Sequence, residues 1–211
     1  MESLEIQNLG CENYETTFVK MKNFTKNRDN HTADQIWMVQ HFPVFTLGAG
    51  ANIKNILFSG DIPIVKSDRG GDVTYHAPGQ AIVYLLFNLK RFKSKLKPKI
   101  FIKKIEQAVI STLKEYNIDS EYNNNFPGVY LSNGDLKGSK IASLGLRITN
   151  GFSYHGVSLN VKMDLTPFSW INPCGRKGLR VVDISNIIKD ISLEKVHKKL
   201  AFNLQHHLNK I

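Results

Sequence analysis

Apolar residues recur along the chain with two different periods. Tyr14, Phe18, Met21 and Phe24 fall at spacings of four and three, which predicts a helix with one buried face over residues 13–28. A second helix is expected over 98–116, where Pro98 suits the first turn and Ile102, Ile105, Val109, Leu113 and Tyr116 share a face. Leu193, Val196, Leu200, Leu204 and Leu208 predict a third, C-terminal helix. Between them lie short apolar runs of strand length, at 36–39, 62–65, 81–87 and 152–161. Residues 42–48 read as a loop leaving the first of these. Residues 128–131 and 139–148 read as a hairpin, with Asn133-Gly134 in the connection. Strands grouped around a few long helices, without strict βαβ alternation, predict an α+β fold: a mixed β-sheet with packed helices. A length of 211 residues suits one domain spanning the chain, with a sizeable core.

Charge adds a bias toward acidic partners. Lys plus Arg number 28 against 18 Asp plus Glu, a net charge of +10. Such an excess fits nucleic acid, an anionic membrane or acidic proteins. The cations are spread over 20–28, 90–104, 176–180 and 195–210 rather than gathered on one recognition helix. No run of 18 apolar residues occurs, and the first residues lack the basic-then-apolar order of a secretory signal, so a cytoplasmic protein is expected. Two cysteines, at 11 and 174, form no metal spacing and suit a reducing compartment. His206 and His207 are adjacent on a helix, project apart and make no metal pair.

Four stretches carry candidate chemistry. In Ser169-Trp-Ile-Asn-Pro-Cys-Gly-Arg-Lys-Gly178, Pro173, Gly175 and Gly178 break helix and strand alike, which puts Cys174 on a tight surface turn. The cations Arg176, Lys177 and Arg180 follow, and a nearby cation favours the nucleophilic thiolate. The bland alternative is a small apolar residue filling a gap. Arg69-Gly-Gly71 lets backbone come close to a ligand, or is a plain glycine turn. His76, in His76-Ala-Pro-Gly-Gln80, is by itself more often a structural hydrogen bonder than a catalyst. Lys140 opens an otherwise apolar strand, so it either snorkels outward or serves a partly buried site. His155 and Gly156 stand mid-strand, where a glycine weakens the strand unless something must approach the backbone. Glycine-interrupted strands near a cysteine loop point to one shared pocket. Gly134-Asp-Leu-Lys-Gly-Ser-Lys140 has the composition of a phosphate loop but the wrong spacing.

Taken together, four blocks resemble the signature blocks of lipoyl(octanoyl) transferases, in that family's order and spacing. They are Arg69-Gly-Gly-Asp-Val-Thr-Tyr-His-Ala-Pro-Gly-Gln80, Lys140-Ile-Ala-Ser-Leu-Gly-Leu-Arg147, Phe152-Ser-Tyr-His-Gly-Val-Ser-Leu-Asn160 and Ile171-Asn-Pro-Cys-Gly175. The likeness runs from about residue 36 to about 184. It implies a lipoate/biotin ligase-like catalytic domain that moves an octanoyl group from octanoyl-acyl carrier protein to a lysine of lipoyl domains. Those domains would be carried by 2-oxoacid dehydrogenase complexes and the glycine cleavage H protein. By position, Cys174 would hold the acyl group as a thioester and Lys140 would stabilise its thiolate. Arg69, Gly70, Gly71, Asp72, Val73, Thr74, Tyr75 and His76 would line the substrate site with Ser143, Leu144, Gly145, Gly156, Val157 and Ser158. His155 would be an orienting group. The resemblance implies no ATP and no metal, and a monomer is expected. Ala77, where the family usually has glycine, is expected to narrow the pocket mouth. The lysine-rich 90–104 segment is not explained by the resemblance.

Three rivals stand beside this reading. An ATP-dependent lipoate or biotin ligase shares the Lys140 block but needs no catalytic cysteine. A nucleic-acid-binding module is suggested by charge alone and lacks a basic recognition helix, a stacking motif or a zinc framework. A Cys-His hydrolase using His155 would tolerate loss of Lys140.

Overall fold

The structure, a computed structural model, describes residues 4–95 and 97–209, with 93–95 as backbone only. Part of the lysine-rich 90–104 segment and the first three residues therefore lie outside the described residues. The chain runs β1 (Leu4–Glu12), α1 (Tyr14–Asn27), β2 (Asp34–His41), β3 (Val44–Leu47), β4 (Ile64–Lys66), β5 (Val73–His76) and β6 (Gln80–Leu86). It continues through α2 (Pro98–Lys114), β7 (Ser120–Tyr122), β8 (Val129–Leu131), β9 (Lys140–Thr149), β10 (Phe152–Asn160) and α3 (Leu193–Leu208). Seven strands form one sheet in the order β1-β2-β6-β10-β9-β8-β7, and β4-β3-β5 form a second, small sheet. Both are mixed: β1 pairs parallel with β2, and β3 parallel with β4, while the other strand pairs are antiparallel. The α+β expectation holds.

The large sheet is covered on both faces, which explains why its central strands read as continuous apolar runs rather than alternating ones. Ile36 and Met38 of β2, with Ala81, Val83 and Leu85 of β6, face a core shared with α2 and α3. Their neighbours Trp37, Val39, Ile82, Tyr84 and Leu86 face the other way, onto Met21, Phe18 and Phe24 of α1. A third core lies beneath the small sheet, built from Phe45, Leu47, Val73, Tyr75, Ala77, Phe168 and Ile171.

Two expectations are corrected. Residues 42–48 are not all loop, because Val44–Leu47 is β3, the middle strand of the small sheet. Its four residues are all buried, so no alternation betrayed it. Ala77 does not narrow a pocket mouth; it is buried in the third core and borders neither of the cavities around Cys174. Strand β1 had no periodic signal either. It is an edge strand with mostly exposed and half-buried side chains, held by its parallel pairing with β2 and interrupted by a register shift between Asn8 and Cys11.

Candidate active site

Cys174 sits in a single tight turn, Pro173–Gly175, with φ 58° and ψ 27°. That is the left-handed region, which side chains other than glycine enter at a cost and which clusters at functional sites. The turn is braced from outside. Asn172 N–H donates to Asn55 O at 2.8 Å, and Ile171 bridges Ile56. Asn55 Nδ2 donates to Asp72 Oδ2 at 2.5 Å, while Asp72 Oδ1 accepts from Val73 N–H at 2.7 Å. Cys174 is exposed, which excludes the gap-filling reading.

The chain leaving this turn comes back beside β9. Lys140 N–H donates to Arg180 O at 2.8 Å and Val182 N–H to Lys140 O at 3.0 Å. This short parallel bridge brings residues 34 positions apart together. Lys140 does not snorkel: it is 2% exposed, and its Nζ donates to Cys174 Sγ at 3.0 Å and to Pro127 O at 3.0 Å. The amine also stands 5.5 Å from the Tyr130 ring centroid. Gly128 (φ +139°) leaves room for the lysine stem, since a Cβ there would lie 2.6 Å from Lys140 Cε. Beneath it, the buried Glu106 accepts from Gly128 N–H at 3.1 Å; burial pushes its carboxyl above the usual range, against the pull of Gly128 and Lys140.

Inward from the sulfur lies a narrow, half-open cavity of about 40 Å³. Arg69, Gly71, Asp72, Val73, Thr74, His76, Ser143, Leu144, Gly145, His155, Gly156, Val157 and Ser158 all border it, together with Cys174. Gly70 borders instead a larger outer cleft of about 650 Å³ that meets the cavity at Cys174. Tyr75 borders neither; its ring lies edge-on to Phe168, 5.5 Å away, in the third core. Period two along β5 accounts for this, with Thr74 and His76 on the cavity side and Tyr75 on the other. Gly145 and Gly156, paired across β9 and β10 at the cavity wall, let neighbouring backbone come close. A Cβ on Gly145 would lie 2.8 Å from Gly70 O, and one on Gly156 2.1 Å from Val83 O.

The cavity wall is polar where α1 meets it. Arg69 is almost fully buried; its Nη2 donates to Thr46 O at 2.6 Å and its Nη1 to Gly70 O at 3.1 Å. Burial holds this guanidinium below its ordinary value, opposed by Tyr14 and Cys174. His76 Nδ1 is 2.7 Å from Gln80 Oε1, and burial lowers its pKa to about 3. His155 (φ 59°) has Nε2 2.9 Å from Asp68 Oδ1, and burial lowers its pKa although Asp68 opposes the shift. Tyr154 also donates to Asp68. What weighs against the Cys-His hydrolase reading is that the hydrogen-bond partner of Cys174 Sγ is Lys140, while His155 Nε2 faces Asp68 and His76 Nδ1 faces Gln80.

Sequence reasoning missed Tyr14, Ile82 and Tyr84, which border the cavity, and Asp68 and His41, which support it. Tyr14 had been placed on a buried helix face, and it is; that face ends at the cavity, where its ring stacks 6.0 Å from His76. His41 Nε2 lies 2.7 Å from the Tyr84 hydroxyl, and burial lowers its pKa to about 4. Apolar-face counting cannot tell a tyrosine in a core from one at a cavity wall. Among the described residues no group of His, Cys, Asp and Glu is arranged to hold a metal ion.

Comparison with known proteins agrees with the architecture. The lipoyl protein ligase A/B catalytic domain matches residues 13–205. An octanoyltransferase of Herminiimonas arsenicoxydans is 50% identical over 207 residues, covering 97% of this chain and 96% of that protein. One from Janthinobacterium sp. (strain Marseille) is 49% identical, covering 95% and 94%. Among solved structures, an archaeal bipartite lipoate protein ligase from Thermoplasma acidophilum superposes with a TM-score of 0.80 at 13% identity, covering 99% of this chain and 85% of its own. A lipoate-protein ligase A bound with ATP gives 0.77 at 15%, covering 99% and 86%. These distant structures fix the fold. With the fold, the catalytic-domain match and relatives near half identity in agreement, the chain belongs to the lipoyl protein ligase A/B catalytic domain family, on its octanoyltransferase branch, whose members are acyltransferases.

Proposed function

We propose that this enzyme carries an octanoyl group from octanoyl-acyl carrier protein to a lysine of a lipoyl domain, through a thioester on Cys174. The observation that carries the reading is the 3.0 Å contact between Lys140 Nζ and Cys174 Sγ beside a narrow cavity. An ammonium donating to sulfur favours thiolate, the nucleophilic form. The thiolate attacks the donor carbonyl, a new C–S bond forms, and the carrier's C–S bond breaks. The departing thiolate takes its proton from Lys140, which is left as the neutral amine. Lys140 then accepts a proton from the acceptor ammonium. The freed amine attacks the acyl-enzyme, amide replaces thioester, Cys174 leaves as thiolate, and one proton passes to solvent. Exchange of one thioester for another is nearly isoenergetic, and amide formation is downhill, so the cycle calls for no nucleotide and no metal. Asp72 acts as a positioning residue through Asn55, which carries the cysteine turn.

Incubation with octanoyl-acyl carrier protein alone is expected to add one octanoyl group to the intact protein by mass spectrometry, lost in Cys174→Ala. Product formation that needs ATP and survives Cys174→Ala would replace this reading with the ligase one.

A further inference from the structure

The inner cavity is the smaller of two spaces that share Cys174. The outer cleft, about 650 Å³, runs from the sulfur between β9 and the start of α2. Its floor and walls are apolar: Ile102, Phe126, Leu144, Leu146 and Ile148. An apolar cleft leading to an exposed cysteine is the kind of surface that takes a substrate.

Its rim is cationic. Pro98 and Ile102 wall the cleft; Lys97, just before α2, and Lys99 in its first turn stand exposed next to Pro98, and the exposed Lys103 lies 5.3 Å from the Tyr122 ring centroid. On the opposite wall, the Arg176 guanidinium lies 4.4 Å from the centroid of Phe126, and Lys177 is exposed one residue further on. Asp72, the acid that borders the cleft, is occupied by Asn55 and by the Val73 N–H.

We propose that this cleft and its lysine rim form the docking site for the acyl donor's carrier protein. The carrier's phosphopantetheine arm lies along the apolar floor, its thioester at Cys174 and its acidic surface against α2. The proposal rests on the Cys174 acyl-transfer reading above. The donor arm is long, thin and anionic at its phosphodiester, and carrier proteins are acidic, so a cationic rim beside an apolar floor complements both. The part of the 90–104 segment that the sequence left unexplained thereby acquires a role: it steers the donor.

The test compares donors in single-turnover acylation of Cys174 by the full-length protein. In a Lys97→Glu, Lys99→Glu, Lys103→Glu variant, the second-order rate with octanoyl-acyl carrier protein is expected to fall about tenfold or more, while octanoyl-pantetheine, without phosphate or protein, reacts within about twofold of the unaltered enzyme. The small donor doubles as a control for folding. The salt dependence with the carrier should flatten in the variant, and transfer from preloaded octanoyl-enzyme to a lipoyl domain should be unchanged. Equal slowing with both donors, no slowing with either, or slowing confined to the lipoyl-domain step would each overturn the proposal. Failure of the unaltered protein to take octanoyl from either donor would overturn the acyl-transfer reading and this proposal with it.

Discussion

The two cysteines of this chain are both exposed, yet their settings differ in every respect that governs reactivity. Cys11 lies on the edge strand β1, next to a register irregularity, and partial burial of its sulfur pushes the thiol above its ordinary value. Cys174 lies in a left-handed turn pinned by Asn55 and Asp72, with a buried ammonium donating to its sulfur at 3.0 Å. Exposure alone therefore does not make a nucleophile. On the proposed mechanism, what does is a cation held at a fixed distance, here the buried Lys140. Its amine also meets Pro127 O and the Tyr130 ring.

The comparison breaks most completely at Lys140. On the proposed mechanism, Lys140→Met removes both the partner of Cys174 and the proton carrier, and acyl transfer should fall roughly 10²–10⁴-fold, the range of general acid–base effects. Iodoacetamide labelling should then show Cys174 reacting no faster than Cys11; if Cys174 keeps its lead, the ammonium is not its source. A gentler disturbance is Gly128→Ala. The new Cβ would meet Lys140 Cε at 2.6 Å, at a backbone angle of +139° that alanine resists. Displacement of the amine should cost about tenfold or more in rate, and the strain about 1–3 kcal/mol in stability by urea unfolding. A fully active Gly128→Ala enzyme would mean that the lysine's position is not critical.

Acid sets the limits within which the two thiols can be compared. His41 and His76 are buried neutral, with pKa lowered from 6.5 to about 4 and about 3. The unfolded chain binds more protons than the folded one between those values, so their contribution is full above about pH 6.5 and is lost progressively as pH falls toward 4 and 3. Urea midpoints should decline across that window, by an amount on the order of a few kcal/mol in total. His41→Gln should make the decline shallower, and an unchanged slope would show that His41 is not buried neutral. Smallest of all is Cys11→Ala, expected to change stability by no more than about 0.5 kcal/mol, with acyl transfer unaltered.

Much of this site was legible because its chemistry is written in short contiguous blocks. A cysteine between Pro173 and Gly175 can only sit on a turn, and Lys140 at the head of an apolar strand needs a reason to be there. The glycines were legible too, since Gly145 and Gly156 interrupt strands, although which backbone approached them was not. Tyr14, His41, Tyr84 and Asp68 were not legible. Each lies on an element whose pattern is fully explained by packing, and their meeting at one wall depends on α1 crossing the large sheet beside β10. Strands β1 and β3 escaped for a related reason: an edge strand and a four-residue buried strand carry no alternation, and their pairing partners lie elsewhere in the chain.

The sequence by itself determined the helices, the central strands and the cysteine turn, because these follow from local periodicity and turn chemistry; the choice of Lys140 as the cysteine's partner came from the resemblance to lipoyl(octanoyl) transferases. Only the tertiary structure decided that the lysine's amine lies on that sulfur, that two spaces of different size share it, and that Tyr75 and Ala77 turn away from both. The physical reason is that contact between distant residues is set by strand register and packing: the bridge of Lys140 to Val181 fixes the first, and the alternation along β5 fixes Tyr75.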